Sequence, residues 1–139
     1  MKKIIIDINI IMDVAVKRKN FKSSQKIIDC CIKEMIKGYV CSHEITTLSY
    51  LLQKAYNRQQ ANEFIKRIID MFSILPSTGE ILKSALDSKI KDYEDAVIEV
   101  TGLKNNIDFI ITRNIKDFDK SRIESLSPEE FLIRFEFED

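Results

Sequence analysis

Residues that build many common catalytic and metal sites are scarce in this sequence. It has one histidine, His43, and three cysteines, none of them in a pair with the two-residue spacing of zinc and redox motifs. A catalytic site that needs two histidines is therefore excluded, as is a zinc site of clustered cysteine and histidine. We expect Cys30, Cys31 and Cys41 to be structural side chains in a reducing compartment, and His43 to be a surface or capping residue.

Glycine and proline are also rare, with three and two residues among 139. This composition favours compact structure with short connections and argues against linkers. A chain of this length suits one domain with its own hydrophobic core. We therefore expect residues 1–139 to form a single domain.

The sequence has no excess of charge of one sign and no long hydrophobic run. Basic and acidic residues both number 22, so any surface that attracts nucleic acid must be local. No stretch approaches the ~20 apolar residues that span a bilayer. Asp7, Asn9 and Asp13 also interrupt the apolar N-terminus, which argues against a signal peptide. We expect a cytoplasmic protein that does not contact a membrane.

Short apolar segments alternate with amphipathic segments along the chain. Strands are predicted at residues 4–6, 39–41, 72–75, 109–111 and, weakly, 122–124. Helices are predicted at residues 10–16, 23–37, 43–57, 59–71, 81–86, 91–105 and after Pro128. Gly38 is expected to end the helix before it, and Ser42 to cap the next one. The alternation predicts an α/β fold, a three-layer α/β/α sandwich with a central parallel sheet of four to five strands.

Acidic residues recur near the predicted strand ends. Asp7 follows the first strand, and Glu44 opens the helix after the second. Asp92 and Asp95 open the helix before the fourth strand, and Asp117 follows that strand. In a parallel sheet these positions share one edge, where ligands bind in open α/β folds. Each acid, taken alone, has the alternative role of a helix cap or a partner of a helix dipole.

Carboxylates gathered at one edge need compensation for their charge. Two of them ~4 Å apart repel by about 4 kcal/mol at an effective dielectric constant near 20. A divalent cation offsets this repulsion. Ligands that are all oxygen select Mg²⁺ or Mn²⁺ rather than zinc.

Five segments of the sequence together carry a resemblance to a known family. They are Asp7-Ile8-Asn9 with Asp13, Glu44 within Ser-His-Glu-Ile-Thr-Thr-Leu, Asp92-Tyr-Glu-Asp95-Ala, Thr112-Arg-Asn-Ile-Lys-Asp117-Phe and Ser127-Pro-Glu-Glu-Phe. In this order, over essentially the whole chain, they resemble the PIN-domain nucleases. The resemblance is greatest to the bacterial branch that contains the VapC-type toxins of toxin–antitoxin pairs. One departure is Ile8, because the family usually has threonine or serine at that position.

The resemblance implies a metal-dependent endoribonuclease that cleaves single-stranded or structured RNA with an activated water. It assigns catalysis and the binding of Mg²⁺ or Mn²⁺ to four acids, Asp7, Glu44, Asp95 and Asp117. The supporting residues are Asn9, Asp92, Thr112 and Asn114, with Asn114 an alternative to Asp117 as the fourth ligand. The implied partners are RNA, a small antitoxin protein and a second copy of the chain in a homodimer.

Basic residues near the strand ends are candidates for guiding the RNA backbone. Arg113 and Lys116 stand beside Asp117 in the sequence and are predicted to contact phosphate. Arg113 is the stronger candidate, because its planar fork matches phosphate geometry. Further candidates are the three consecutive basic residues 17–19.

A different class of function remains open. The same fold with an idle site would be a non-catalytic or degenerate PIN domain that acts as an RNA- or protein-binding module. The retained acids argue against this alternative. Magnesium-dependent RNA cleavage separates the two.

Overall fold

Five short parallel strands form the centre of the molecule. The structure, a computed structural model, describes residues 1–135. Its strands are β1 (Lys3–Ile6), β2 (Lys37–Cys41), β3 (Ser73–Leu75), β4 (Phe109–Ile111) and β5 (Glu124–Leu126). They pair in the order β3-β2-β1-β4-β5, with β1 in the middle. Because the strands are parallel, their carboxyl ends lie at one side of the sheet, which we call the carboxyl edge.

Helices connect the strands and cover both faces of the sheet. In residues 1–135 they are α1 (Ile8–Ala15), α2 (Phe21–Ile32), α3 (Ser42–Ala55), α4 (Arg58–Met71), α5 (Gly79–Ser84), α6 (Tyr93–Lys104) and α7 (Pro128–Phe135). Two 3₁₀ turns, Ala85–Asp87 and Ile115–Phe118, complete the connections. Helices α1–α4 and α7 share one core, and α5 and α6 share a second core on the opposite face. The predicted three-layer α/β/α sandwich with a parallel sheet is confirmed.

The three isoleucines of β1 explain why this strand is central. Ile4, Ile5 and Ile6 are at most 1% exposed. Successive side chains of a strand point to opposite faces. Ile4 and Ile6 accordingly belong to the core with α1, and Ile5 to the core with α6. Burial of each of these side chains contributes about 1.5–3 kcal/mol to the free energy of folding. Because the side chains point to both faces of the sheet, this contribution requires a helix layer on each face.

Several boundaries differ from those predicted. Helix α1 begins at Ile8, two residues early, because Asp7 caps it. The last strand is shifted to residues 124–126. Ser42 is the first residue of α3 and not its cap, and its hydroxyl oxygen accepts a hydrogen bond from the Ser77 N–H at 2.9 Å. None of the helices in residues 1–135 has the length and apolar character to cross a bilayer.

Gly38 lies inside β2, while α2 already ends at Ile32. The prediction that Gly38 ends a helix is therefore wrong. A Cβ atom at this position would lie 2.6 Å from the Cys31 sulfur and 3.0 Å from the Phe72 ring. Close packing of the helix layer on the strand, and not a helix end, accounts for this glycine.

A second glycine, Gly102, sets how closely α6 approaches the sheet. A Cβ atom there would lie 2.5 Å from Cδ1 of Ile123 and 3.2 Å from Cδ1 of Ile5. Forcing extra atoms into such a contact moves the backbone or the side chains. A side chain at Gly102 would therefore require Ile123, Ile5 or α6 itself to move.

The cysteines have the surroundings of packing residues. Cys30 and Cys41 are buried and Cys31 is half-buried. Burial raises the pKa of Cys31 and of Cys41 to about 12. A thiol that stays protonated at neutral pH is a poor nucleophile, which agrees with the expected structural role.

Candidate active site

The carboxyl edge contains a cavity of about 240 Å³ with mainly acidic and amide walls, called here the acidic cavity. Its lining residues are Asp7, Ile8, Asn9, Glu44, Thr47, Leu51, Asp92, Glu94, Asp95, Asn114 and Asp117. Seven of the eight residues predicted to be catalytic or supporting are among them. The eighth, Thr112, donates a hydrogen bond to Asp7. The fold thus brings together residues from four separate parts of the chain.

Asp7 joins β1 to α1 and is 5% exposed. One carboxylate oxygen accepts a hydrogen bond from the Asn9 N–H at 3.2 Å, which makes Asp7 the N-cap of α1. The other oxygen accepts from the Thr112 hydroxyl at 2.8 Å. Burial raises the pKa of Asp7, and the hydrogen bond from Thr112 opposes this effect. Asp7 therefore both caps a helix and lines the cavity.

Ile8 has no hydroxyl group to contribute to the site, and Thr112 supplies one from another part of the chain. Ile8 is buried and contributes an apolar surface to the cavity wall. Thr112 is fully buried, and its oxygen also accepts a hydrogen bond from the Asn114 N–H at 3.0 Å. Thr112 therefore holds Asp7 and the start of the segment from which Asn114 and Asp117 reach the cavity.

Glu44 lies in the first turn of α3 and is 3% exposed. Its carboxyl group forms a hydrogen bond with that of Glu94. Burial, this hydrogen bond and the charge of Asp7 raise the pKa of Glu44 far above its usual value. This raised pKa favours the protonated form of Glu44 when no cation is bound.

Glu94 is the acidic residue of the cavity that the sequence reasoning missed. It lies between Asp92 and Asp95, in the first turn of α6. Asp92 and Asp95 are three residues apart and so share one face of a helix, which favoured their selection. Glu94 does not share that spacing with Asp95 and was not selected. The presence of three acids within four residues at one helix start was the signal that would have found it.

Asp92 and Asp95 have different roles at the start of α6. Asp92 is exposed and is the N-cap, since its side chain accepts a hydrogen bond from the Asp95 N–H at 3.0 Å. Asp95 is half-buried, and its pKa is raised to about 7 by burial and then by the charges of Asp92 and Asp7. The effect of Asp7 shows that acids from β1 and α6 lie within electrostatic reach of each other.

Residues 1–135 supply no cation to these acids. Within residues 1–135, none of the acidic side chains lining the cavity forms a salt bridge. No histidine or cysteine is among the lining residues, so the polar groups are carboxylates, amides and a hydroxyl. This donor set and its uncompensated charge fit a hard divalent cation such as Mg²⁺ or Mn²⁺.

The fit concerns donor chemistry and not a preformed cage. In the described part of the chain, no three histidine, cysteine or acidic side chains are already placed to hold a metal ion. Repulsion between ionised carboxylates opposes their convergence when no cation is bound. Binding would therefore draw the side chains inwards or use water for the remaining positions, as Mg²⁺ commonly does.

Arg113, predicted to contact phosphate, has a different role. Its Nε donates to Asp13 at 2.7 Å, and its other nitrogens donate to Glu129 at 2.9 and 3.1 Å and to the Ser24 hydroxyl at 3.1 Å. Because most of its donors are used inside the protein, this network argues against the predicted contact of Arg113 with phosphate. Lys116 is exposed and lies beside Asp117, so its prediction stands.

His43 connects the two helix starts that carry the acids. Its Nε2 lies 3.0 Å from the carbonyl oxygen of Glu94 and its Nδ1 lies 3.2 Å from the Ser77 hydroxyl. Because a carbonyl only accepts, Nε2 carries the proton and Nδ1 accepts from Ser77. Burial lowers the pKa of His43, which favours this neutral form. His43 is thus a half-buried bridge from α3 to α6, and not the expected surface or capping residue.

Comparison with known families gives one match. The family model of the PIN domain matches residues 3–116, which is most of the chain. The matched segment contains all the lining residues of the acidic cavity except Asp117. Among curated proteins, no match was found.

Solved structures of low sequence identity share the fold. VapBC2 from Rickettsia felis, bound to a DNA fragment from its promoter, is 17% identical with a TM-score of 0.69, over 89% of this chain and 97% of that chain. A toxin–antitoxin complex from Klebsiella pneumoniae is 19% identical with a TM-score of 0.67, over 89% and 96%. PAE2754 from Pyrobaculum aerophilum is 14% identical with a TM-score of 0.69, over 97% and 96%. At these identities the likeness establishes the fold.

Proposed function

Because this chain belongs to the PIN-domain family, we propose that it is an endoribonuclease that depends on Mg²⁺ or Mn²⁺. Its substrate is single-stranded or structured RNA, and an activated water cleaves the phosphodiester bond. The acidic cavity is the proposed active site, within one domain of residues 1–139. Membership of the family confirms the resemblance carried by the sequence motifs.

One observation carries this proposal, a set of buried and half-buried acids in one cavity without a cation from the protein. The pKa of Asp7, of Glu44 and of Asp95 is raised, with burial the largest cause in each case. Perturbed groups that share a cleft are characteristic of functional sites. A structural role would pair such acids with arginine or lysine, as this protein does for Asp13.

Asp7 and Asp95 are the proposed principal ligands of the metal. Both acids line the acidic cavity, and the charge of Asp7 raises the pKa of Asp95. Glu44 adds a third carboxyl group from α3, and Asp117 or Asn114 the fourth group. A divalent cation bound there would polarise a phosphoryl oxygen and activate water for attack.

The other residues orient these groups. Thr112 and the Asn9 N–H hold the two oxygens of Asp7. Asp92 fixes the first turn of α6 by its hydrogen bond to the Asp95 N–H. The Asn9 side chain accepts a hydrogen bond from Arg18 at 3.3 Å, which places a positive group at the rim of the cavity.

The test is cleavage of a pool of single-stranded RNA in Mg²⁺ or Mn²⁺. Asp7→Asn and Asp95→Asn should each reduce the rate by about 10²-fold or more, because metal catalysis supplies several kcal/mol of transition-state stabilisation. Asp117→Asn should have a milder effect, since Asn114 shares its place. The matched control is Asp70→Asn, an exposed acid of α4 outside the cavity.

Folding of each variant is checked by circular dichroism. If Asp95→Asn cleaves as well as the parent, the nuclease assignment is wrong. If the folded parent binds RNA but leaves it intact in either metal, the non-catalytic alternative is correct and the cavity is an idle site.

We also propose that the protein is the toxin of a toxin–antitoxin pair and forms a homodimer. The support is the fold shared with the Klebsiella pneumoniae complex, which is itself a toxin–antitoxin assembly. A neighbouring small reading frame, whose product copurifies with this chain and suppresses its RNA cleavage, is the expected result. An isolated locus would contradict the toxin role. Light scattering of the purified chain tests the dimer.

A further inference from the structure

A second cavity adjoins the acidic cavity and has a different character. It measures about 310 Å³ and is lined by Lys89, Ile90, Lys91, Asp92, Lys116, Asp117, Asp119 and Lys120. Asp92 and Asp117 line both cavities, so the two are neighbours with a common wall. We call this second cavity the lysine groove. It concentrates four of the 22 basic residues beside the proposed active site, in a chain of zero net charge.

The two walls of the groove are built in the same way. On one side, Ile90 is 6% exposed and stands between Lys89 and Lys91. On the other, Phe118 is 2% exposed and stands between Lys116 and Lys120. Both apolar side chains belong to the core beneath α6. Each wall is thus anchored in the core by one side chain, while its lysines face solvent.

The first wall is fixed further by hydrogen bonds. The Ser88 hydroxyl donates to the buried carboxylate of Glu99 at 2.7 Å, and its oxygen accepts from the Ile90 N–H at 3.1 Å. Glu99 also accepts from the Arg122 N–H at 2.7 Å. The lysines before α6 therefore project from an ordered backbone, which reduces the entropy lost when they bind a ligand.

The lysines are not occupied by the acids of the groove. All four are exposed, and in the described part of the chain none forms a salt bridge or a side-chain hydrogen bond. Arg18, near α1, differs from them, because it already contacts Asn9 at 3.3 Å and Asp13 at 3.7 Å. The lysine groove therefore offers free positive charge on a wall that it shares with the acidic cavity.

We propose that the lysine groove binds the phosphate backbone of single-stranded RNA on one side of the bond that is cleaved. This proposal rests on the proposed function, since it assigns a substrate path to the same site. Flexible ammonium groups on two facing walls suit a backbone of regularly spaced charges without selecting its bases. The strand would pass from the groove over Asp92 and Asp117 into the acidic cavity.

The experiment measures affinity for a fluorescent single-stranded RNA by anisotropy over a series of KCl concentrations, at a fixed low Mg²⁺ concentration. All variants carry Asp95→Asn to prevent cleavage, and the RNA is checked on a gel afterwards. The groove variant is Lys89→Gln with Lys120→Gln, one lysine from each wall and neither adjacent in sequence to a lining acid of the acidic cavity. The control pair is Lys33→Gln with Lys66→Gln, two exposed lysines that line neither cavity.

Each phosphate contact with a single strand contributes about 0.7 to the slope of log affinity against log salt concentration. The groove variant should lose about 1.4 from this slope and bind roughly tenfold or more weakly at ~50 mM salt. The control pair should match the parent. A groove variant with the parent's slope, in a protein shown to be folded, would overturn the proposal. The pair Lys91→Gln with Lys116→Gln repeats the test if the first variant does not fold.

The outcome separates this proposal from the proposed function. If the parent chain cleaves RNA and both groove variants have an unchanged slope, the proposed nuclease function holds and the proposed role of the lysine groove is wrong. A reduced slope in the groove variant, without cleavage by the parent in any metal, would leave an RNA-binding groove beside an idle site. Absence of RNA binding in every variant would overturn both.

Discussion

Asp7 and Asp13, the N-cap and a residue of α1, are buried to a similar extent but differ in their charged partners. They are 5% and 3% exposed. Asp13 accepts hydrogen bonds from Arg113 at 2.7 Å and from Ser24 at 2.9 Å, and Arg18 lies 3.7 Å away. Asp7 accepts only from a backbone N–H and a hydroxyl in the described residues. Thus the same residue type, at the same depth, has a cation partner in one place and none in the other.

The difference distinguishes an acid that holds the fold together from an acid kept for a ligand. The Arg113 network joins α1, α2, the segment after β4 and α7 through Asp13, Ser24 and Glu129. Within this network the buried negative charge is paired with a positive group of the protein. The negative charge of the acidic cavity has no such partner in the described residues. The free-energy cost of burying it must be offset by the rest of the fold or by a bound cation.

Removing Arg113 should have the largest effect on stability. Arg113→Met leaves Asp13 buried without its main cation, which typically costs about 3–5 kcal/mol. We expect the lower end, about 3 kcal/mol, because Arg113 is partly exposed and Arg18 remains nearby. The melting temperature should fall by roughly 6–12 °C. Adding Asp13→Asn to Arg113→Met should recover part of this loss, and an unchanged Arg113→Met protein would show that the network is not structural.

Divalent cation should act on the open site and not on the closed one. Mg²⁺ or Mn²⁺ at 100 times its dissociation constant adds about 2.7 kcal/mol to the stability of the native state, or roughly 5–10 °C. The increment should shrink in Asp7→Asn and in Asp95→Asn. It should persist in Asp13→Asn, although that protein melts at a lower temperature. Equal increases in melting temperature in all three variants would show that the metal does not bind in the acidic cavity.

The metal-free protein should become less stable as pH rises through the range in which Asp95 loses its proton. The folded-state pKa of Asp95, about 7, lies above its unfolded value of 3.8, so the folded state holds the proton to higher pH. The favourable contribution is present below pH ~4 and is lost as pH rises to ~7. Because Asp95 is half-exposed, we discount for solvent screening and expect a difference of about 2–4 °C. Asp95→Asn should flatten this slope, measured by thermal melts in chelator, and Asp70→Asn should not.

Asp92→Asn should have the smallest effect. Asparagine caps helices about as well as aspartate, so the hydrogen bond to the Asp95 N–H is retained. RNA cleavage should stay within about threefold of the parent, because Asp92 is exposed and acts on Asp95 mainly through charge. A loss as large as that in Asp95→Asn would mean that Asp92 is itself a ligand and that its capping role is secondary.

The sequence predicted the fold and most of the acidic cavity because both depend on local pattern. Three consecutive isoleucines identified the central strand, and the alternation of elements fixed the parallel arrangement. Parallel strands place their carboxyl ends together, so acids at strand ends were predicted to share one edge. The gathering of Asp7, Glu44, Asp95 and Asp117 in one cavity follows from that topology.

The contacts that could not be predicted join residues far apart in sequence. Arg113 meets Asp13 across 100 residues, and no local pattern tells such an arginine from one that faces solvent. Gly38 lies where helices often end, yet the reason for a glycine there is the close approach of the Cys31 sulfur and the Phe72 ring from other parts of the chain. Glu94 meets Glu44 because of the way α6 and α3 approach each other, which the spacing within one helix does not reveal.

The close approach of α6 to the sheet at Gly102 also has a consequence for chemistry. Gly102 and Asp95 stand seven residues apart on one helix, which is about 10 Å. A helix behaves as a stiff rod over two turns, so a displacement at one end is transmitted to the other. A side chain at Gly102 would press on the Cδ1 atoms of Ile123 and Ile5, and whatever these side chains do not absorb would displace α6 together with the Asp95 carboxylate. The position of the Asp95 carboxylate in the acidic cavity therefore depends in part on Gly102, a residue that does not line the cavity.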